Sequence, residues 1–114
     1  MDGIALEHLG AATVLRCNRP LTFETKQEFM NLISALAGRQ ELERLLFVFS
    51  PENEVDATGI GMLAQMHAIM VGSGKRLYLC MPPEAVVEKL KELNLSGFLR
   101  TLTTEEEVLM RFPD

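Results

Sequence analysis

Hydrophobic residues partly alternate with polar ones in two short N-terminal segments and form an unbroken apolar run later in the chain, which predicts several β-strands. The alternating segments, 4–9 and 13–17, are separated by Gly10-Ala11-Ala12 and predict an N-terminal hairpin. The run 45–49 is apolar at every position, which is typical of a strand that is covered on both faces and lies centrally in a sheet. Two further strands are predicted at 76–81 and 98–102.

Apolar residues at helical spacing predict helices at about 22–37, at about 57–72, from 84 to the region of 94–97, and in a short segment after Thr104. Gly38 suits a left-handed residue after the first helix, and Asp56 is well placed to cap the second. Thr104 and Glu107 form a capping box for the last helix. The apolar face of the third helix would carry Val86, Val87, Leu90 and Leu93.

The order of these elements predicts an α/β fold, in which a small mixed β-sheet of four to five strands is packed with about four α-helices. The chain has 114 residues, of which 47% are hydrophobic and 24% charged. A length of this order accommodates one ordinary globular domain, so we expect a single domain over residues 1–114.

Charge and cysteine usage narrow the function classes. The formal net charge is −5 and no cluster of Lys or Arg stands out, so a nucleic acid is an improbable partner. Cys17 and Cys80 each lie in an apolar stretch and are interpreted as reduced core thiols. The N-terminus resembles no signal peptide and no apolar run would span a bilayer, so the expected location is the cytoplasm, without membrane insertion.

The sequence contains few candidates for catalysis. Neither His8 nor His67 has a Cys or carboxylate at a metal-ligand spacing, and no nucleophile elbow, phosphate loop or Cys-x-x-Cys motif is present. We therefore expect no metal, no cofactor and no enzymatic activity. His67 is interpreted as a hydrogen-bonded core histidine rather than a catalytic one. Gly72-Ser73-Gly74-Lys75 follows a helix and precedes a strand, so it is interpreted as a helix stop and turn.

The junction at residues 55–63 is the most specific feature of the sequence. Asp56-Ala57-Thr58-Gly59 places a hydroxyl in the first turn of the second helix, beside amides that have no intrahelical partner. Gly59 and Gly61 each lower helix propensity by about 1 kcal/mol relative to Ala, so something must compensate. The pair indicates either close packing of the helix against the sheet or a surface that a partner backbone or a phosphate approaches; the junction alone does not distinguish these.

The same segment carries a resemblance to the STAS domain, the family of bacterial anti-sigma-factor antagonists and of a related domain in sulphate transporters. The apolar strand at 46–49 and then Asp56-Ala57-Thr58-Gly59-Ile60-Gly61-Met62-Leu63 resemble the family's strand followed by Asp-Ser-Ser-Gly-Leu-Gly-x-Leu. Supporting matches follow in order along nearly the whole chain, at 74–79, at Val87 with Leu90, and at 94–98.

This resemblance implies a function in partner switching. In the family, the first hydroxyl residue after the Asp is phosphorylated by an anti-sigma factor that is itself a serine/threonine kinase. Ala57 occupies that place here, and Thr58 matches the second hydroxyl position. The family also often has an Asp in the loop before its first helix, where this chain has Leu21-Thr22-Phe23. Thr58 is therefore the candidate phosphoacceptor.

The leading hypothesis is a non-enzymatic anti-sigma-factor antagonist that binds an anti-sigma-factor kinase or a related regulator through the start of the second helix. The alternative is a STAS module of a lipid or anion transport system that docks on a membrane-protein subunit. On a helical wheel, Met62, Met66 and Ile69 widen the apolar arc formed by Ile60, Leu63, His67, Met70 and Val71, which indicates either core packing or a binding flank. The candidate partner-binding residues are Asp56, Ala57, Thr58, Gly59, Ile60, Gly61, Met62 and Met66.

Overall fold

Five strands form one mixed sheet, and their order across the sheet is their order along the chain. The computed structural model describes residues 3–9, 12–95, 97, 99–102, 106, 107 and 110. The first strand, β1, pairs antiparallel with β2, and β2 to β5 are parallel to one another. The strands are β1 (Ile4–Leu9), β2 (Ala12–Cys17), β3 (Arg44–Phe49), β4 (Arg76–Cys80) and β5 (Arg100–Leu102).

The α-helices alternate with the parallel strands. They are α1 (Lys26–Ala37), which is preceded by a 3-10 turn at Phe23–Thr25, α2 (Ala57–Gly72) and α3 (Glu84–Glu92). They follow β2, β3 and β4 in turn. Because the carboxyl ends of parallel strands meet at one edge of a sheet, the N-terminal ends of all three helices lie at that edge.

The predicted α/β fold, the N-terminal hairpin and the central place of the apolar run at 45–49 are confirmed. The predicted number of about four helices is slightly too high for the described residues, which contain three α-helices with defined ends. Of the predicted last helix, Thr104 lies outside the described residues, whereas Glu106 and Glu107 have helical backbone. Residues 10 and 11 of the predicted hairpin turn and residue 98 of the predicted last strand also lie outside them.

Strand β3 is covered on both faces, as its sequence predicts. Its side chains alternate between two buried clusters: Leu45, Phe47 and Phe49 lie in the larger one, and Leu46 and Val48 in the smaller one. The larger cluster also includes the buried apolar residues of α1, α2 and α3, so the helices pack on this face of the sheet. Both cysteines are buried free thiols, as predicted.

The ends of two helices differ from the sequence-based expectation. Gly38 has a φ of −80° and is right-handed rather than left-handed, because its N–H still donates to carbonyls of the last helical turn. Leu93 follows the last residue of α3, so it leaves the apolar face and is 51% exposed. The predicted stop after α2 is present: Gly74 has a φ of +75°, and the N–H of Lys75 donates to the carbonyl of Met70 at 2.8 Å.

Candidate functional site

The start of α2 is built by a side-chain cap. Asp56 has extended backbone, and its Oδ1 accepts a hydrogen bond from the N–H of Gly59 at 2.9 Å. Its carbonyl oxygen accepts the first intrahelical bond, from the N–H of Ile60 at 3.0 Å. A carboxylate in this place satisfies an amide that has no partner inside the helix and interacts favourably with the helix dipole. The predicted cap is confirmed, and it orients the first turn of α2.

The segment before α1 holds the start of α2 from the other side. Leu21 forms a parallel bridge with Val55. Its N–H donates to the carbonyl of Glu54 at 2.8 Å, and its carbonyl accepts from the N–H of Asp56 at 3.3 Å. These contacts join the loop that leads into α1 to the loop that leads into α2, so both loops belong to one surface at the carboxyl ends of the strands.

The two glycines of the junction have different roles. A Cβ at Gly59 would lie 2.1 Å from the carbonyl oxygen of Leu21 and 2.8 Å from Cγ1 of Val55. Only a residue without a side chain allows this approach, so close packing explains Gly59, but the neighbour is the segment before α1 rather than a strand of the sheet. A Cβ at Gly61 would meet nothing within 4 Å, and the residue is exposed. Packing therefore gives no reason for a glycine at position 61.

Burial divides the eight predicted partner-binding residues. Asp56, Ala57 and Gly61 are exposed and Thr58 is half-buried, so these four form the accessible first turn of α2. Gly59 and Ile60 are buried beneath them.

Met62 and Met66 are fully buried in the larger core cluster, so they do not belong to a binding surface. The core interpretation of the apolar flank of α2 is therefore the right one, because this helix packs against α1, β4 and α3 at once. Val71, placed by the helical wheel on the core-facing arc, is instead 53% exposed near the end of the helix.

Neighbouring groups complete the description of the site. A cavity of about 160 Å³ lies between the start of α2 and α3; its lining consists of Val55, Asp56, Ala57, Ile60, Ala85, Val86 and Lys89.

His67 lies further along α2 and is half-buried rather than part of the core. Its pKa is lowered, first because burial disfavours the charged form and second because Arg100 repels it. Within the part of the chain that the structure describes, no three His, Cys, Asp or Glu residues cluster in a way that could hold a metal ion.

Phe23 is a surface residue that the helical spacing of apolar residues in the sequence does not single out. It lies in the 3-10 turn, two residues after Leu21, and is 74% exposed. The signal in the sequence is an apolar residue between Thr22 and Glu24, outside the helical spacing of α1. The turn and the start of α2 lie at the same edge of the sheet, because Leu21 bridges Val55.

The chain matches the family model of the STAS domain over residues 3–108. It belongs to the STAS domain family. The matched range includes the segment 56–61, whose Asp caps α2 and whose hydroxyl and two glycines lie in the first two turns of that helix. Among the described residues, no helix of this STAS domain is long and apolar enough to cross a membrane. No curated protein sequence matches it significantly.

Solved structures similar to this STAS domain include anti-sigma factor antagonists and an anion transporter. A Thermotoga maritima protein described as a candidate anti-sigma factor antagonist is 18% identical with a TM-score of 0.81, over 95% of this chain and 92% of its own. The Bacillus cell-fate determinant SpoIIAA in its phosphorylated form is 18% identical with a TM-score of 0.67, over 95% and 97%. The murine anion transporter Slc26a9 is 15% identical with a TM-score of 0.75, over 92% of this chain and 18% of its own. At these identities the likeness establishes the shared fold.

Proposed function

We propose that this STAS domain is an anti-sigma-factor antagonist, a non-enzymatic cytoplasmic protein that binds an anti-sigma-factor kinase or a related regulator. The observation that carries the proposal is the exposed first turn of α2, where Asp56, Ala57, Thr58 and Gly61 are accessible and their backbone is held by the Asp56 cap and the Leu21 bridge. A rigid surface of this kind suits a protein partner because little conformational entropy is lost on binding. SpoIIAA, an anti-sigma factor antagonist, has the same fold, which is compatible with this function.

Thr58 is the proposed point of control. It is half-buried in the first turn of α2, and its hydroxyl makes no hydrogen bond to any of the described residues, so the hydroxyl is open to modification. A phosphate adds a charge of about −1.5 to −2, which the free amides and the dipole of the helix N-terminus would stabilise. The same charge would lie in the centre of the binding surface and repel carboxylates of a partner. The fold would survive, and binding would be weakened.

The experiment combines phosphorylation with binding. The full chain is incubated with ATP and a purified anti-sigma-factor kinase encoded in the same genome, and any phosphate is mapped by mass spectrometry. Binding of that kinase by wild type, Thr58→Ala and Thr58→Glu is then measured by calorimetric titration. Ser73→Glu is the matched control, because Ser73 is an exposed hydroxyl residue at the other end of α2.

We expect phosphate on Thr58, binding by Thr58→Ala and Ser73→Glu close to that of wild type, and binding by Thr58→Glu about tenfold or more weaker. Absence of phosphate together with equal binding by all four proteins would contradict control at Thr58 while leaving a binding module. A kinase that binds none of them would contradict the proposed function itself.

The second candidate function is a STAS module of a lipid or anion transport system that docks on a membrane-protein subunit. It is favoured by Ala57, which removes the hydroxyl from the place where the antagonists of the family carry their phosphoacceptor. Recovery of a permease subunit by the tagged chain from solubilised membranes, with no kinase bound in the titration above, would favour this candidate over the first.

A further inference from the structure

Phe23 is presented to solvent beside the first turn of α2, within an acidic surface. We propose that its ring is the apolar anchor of the binding surface and that the partner offers it an apolar pocket with a basic rim. The inference rests on the proposed function, because it describes the chemistry of the kinase surface that would be bound. It adds an anchor and a charge pattern that the α2 motif does not contain.

The exposure of Phe23 is unusual for its type within this molecule. Of the phenylalanines that the structure describes, Phe29, Phe47 and Phe49 are buried in the core, whereas Phe23 is 74% exposed. Aromatic residues that become buried on binding are among those that contribute most to protein–protein affinity. An exposed ring beside the proposed binding site is therefore a natural anchor.

The turn that carries Phe23 is organised in advance. The hydroxyl of Thr25 donates to the carbonyl of Pro20 at 2.7 Å and accepts from the N–H of Thr22 at 3.1 Å. The N–H of Thr25 in turn donates to the carbonyl of Thr22 at 3.1 Å, which closes the turn. Thr22 and Thr25 are both buried, so the backbone on either side of the ring is held while the ring itself points outward. A residue presented in this way loses little backbone freedom when it is bound.

Phe23 is also joined to the site through the backbone. Leu21, two residues earlier, bridges Val55, and its carbonyl accepts from the N–H of Asp56. The ring and the first turn of α2 therefore belong to the same edge of the sheet, and one partner can cover both. The cavity of about 160 Å³ between α2 and α3 extends this surface on the other side of the Asp56 cap.

The charges around the anchor are mostly negative. Two cations of this edge are in ion pairs, Arg19 with Glu28 and Lys89 with Glu92. Lys26, and Arg16 near the end of β2, are in neither of these two pairs. Exposed carboxylates that are in neither of these pairs lie in the segments at this edge of the sheet, beside Phe23 in sequence or at the starts of α2 and α3: Glu24, Glu52, Glu54, Asp56 and Glu84. A partner that is complementary to this surface carries basic residues around the pocket for the ring.

The test measures binding of the purified anti-sigma-factor kinase to the full chain by calorimetric titration and by association kinetics. Phe23→Ala removes the anchor, and Val71→Ala is its matched control, because Val71 is an exposed apolar residue at the opposite end of α2. Glu24→Gln removes one carboxylate beside the ring, and Glu41→Gln removes one from an exposed position that precedes β3, at the opposite edge of the sheet. Thermal melting of each variant establishes that it is folded.

We expect Phe23→Ala to weaken binding about tenfold or more and Val71→Ala to change it less than about twofold. Raising the salt from about 0.05 M to about 0.5 M should slow association, and Glu24→Gln should show a smaller salt effect than Glu41→Gln.

Equal binding by Phe23→Ala and Val71→Ala would overturn the anchor while the proposed function stands. Equal salt effects in the two glutamate variants would overturn the basic rim. If the kinase does not bind the wild-type chain, the proposed function is overturned, and so is the kinase as the partner of Phe23.

Discussion

Gly59 and Gly61 lie two residues apart in the same helix, yet replacing each by alanine should have opposite effects on stability. At Gly59 the new Cβ would lie 2.1 Å from the carbonyl oxygen of Leu21, whereas ordinary contact begins at 3.4 Å. The backbone of α2 or of Leu21 must therefore move by about 1.3 Å. That movement strains the Leu21–Val55 bridge and the hydrogen bond from the N–H of Asp56 to Leu21, because both hold the same carbonyl group in place.

The size of the stability change at each glycine follows from opposing effects. Overpacking costs about 1–3 kcal/mol, a weakened hydrogen bond about 1 kcal/mol, and the better helix propensity of alanine returns about 1 kcal/mol. Gly59→Ala should thus lower the free energy of unfolding by about 1–3 kcal/mol. At Gly61 nothing lies within 4 Å of the added Cβ, so only the propensity gain of about 0.5–1 kcal/mol remains.

The assay is thermal and urea unfolding of the two variants beside the wild type. For a domain of this size, 1 kcal/mol corresponds to about 4 °C in Tm. We expect Gly59→Ala to melt about 4–12 °C below the wild type and Gly61→Ala about 2–4 °C above it. A Gly59→Ala variant that melts at or above the wild type would show that α2 does not approach Leu21 as described, and an equal loss in both variants would refute the division of roles.

Three further predictions follow from the core and from its titratable groups. Phe47→Ala should cost about 3–5 kcal/mol in urea unfolding, because the ring is fully buried in the sheet centre; a loss below about 1 kcal/mol would contradict this placement. Burial raises the pKa of the Cys80 thiol to about 12 and also raises the pKa of the Cys17 thiol. Neither thiol should therefore react with a thiol reagent at about pH 8 until the chain unfolds. Immediate reaction of the native protein would contradict their burial. The pKa of His67 is below its usual 6.5, so the unfolded state takes up the proton first and stability should fall as the pH drops through and below about 6.5. His67→Gln should make this fall smaller when melting is measured as a function of pH. An unchanged pH profile would exclude His67 as its source.

Local patterns determined most of the elements of this STAS domain. Helical spacing, alternation and the apolar run at 45–49 depend on neighbours within a few residues, and so does the bond from Asp56 to the N–H of Gly59. These features could therefore be predicted from the sequence. The STAS resemblance was also readable there, because its Asp-x-hydroxyl-Gly motif is contiguous in the chain.

Tertiary packing alone decided which residues of the site are accessible. Helix α2 is apolar around most of its circumference, so a helical wheel could not tell that Met62 and Met66 are buried while Val71 is exposed; contacts with α1, β4 and α3 decided this. The roles of the two glycines were likewise undecided, because the carbonyl of Leu21 that forbids a side chain at Gly59 comes from a segment 38 residues earlier. Burial and close approach depend on which distant segments meet, and a linear pattern of hydrophobicity contains no information about which face each neighbour covers.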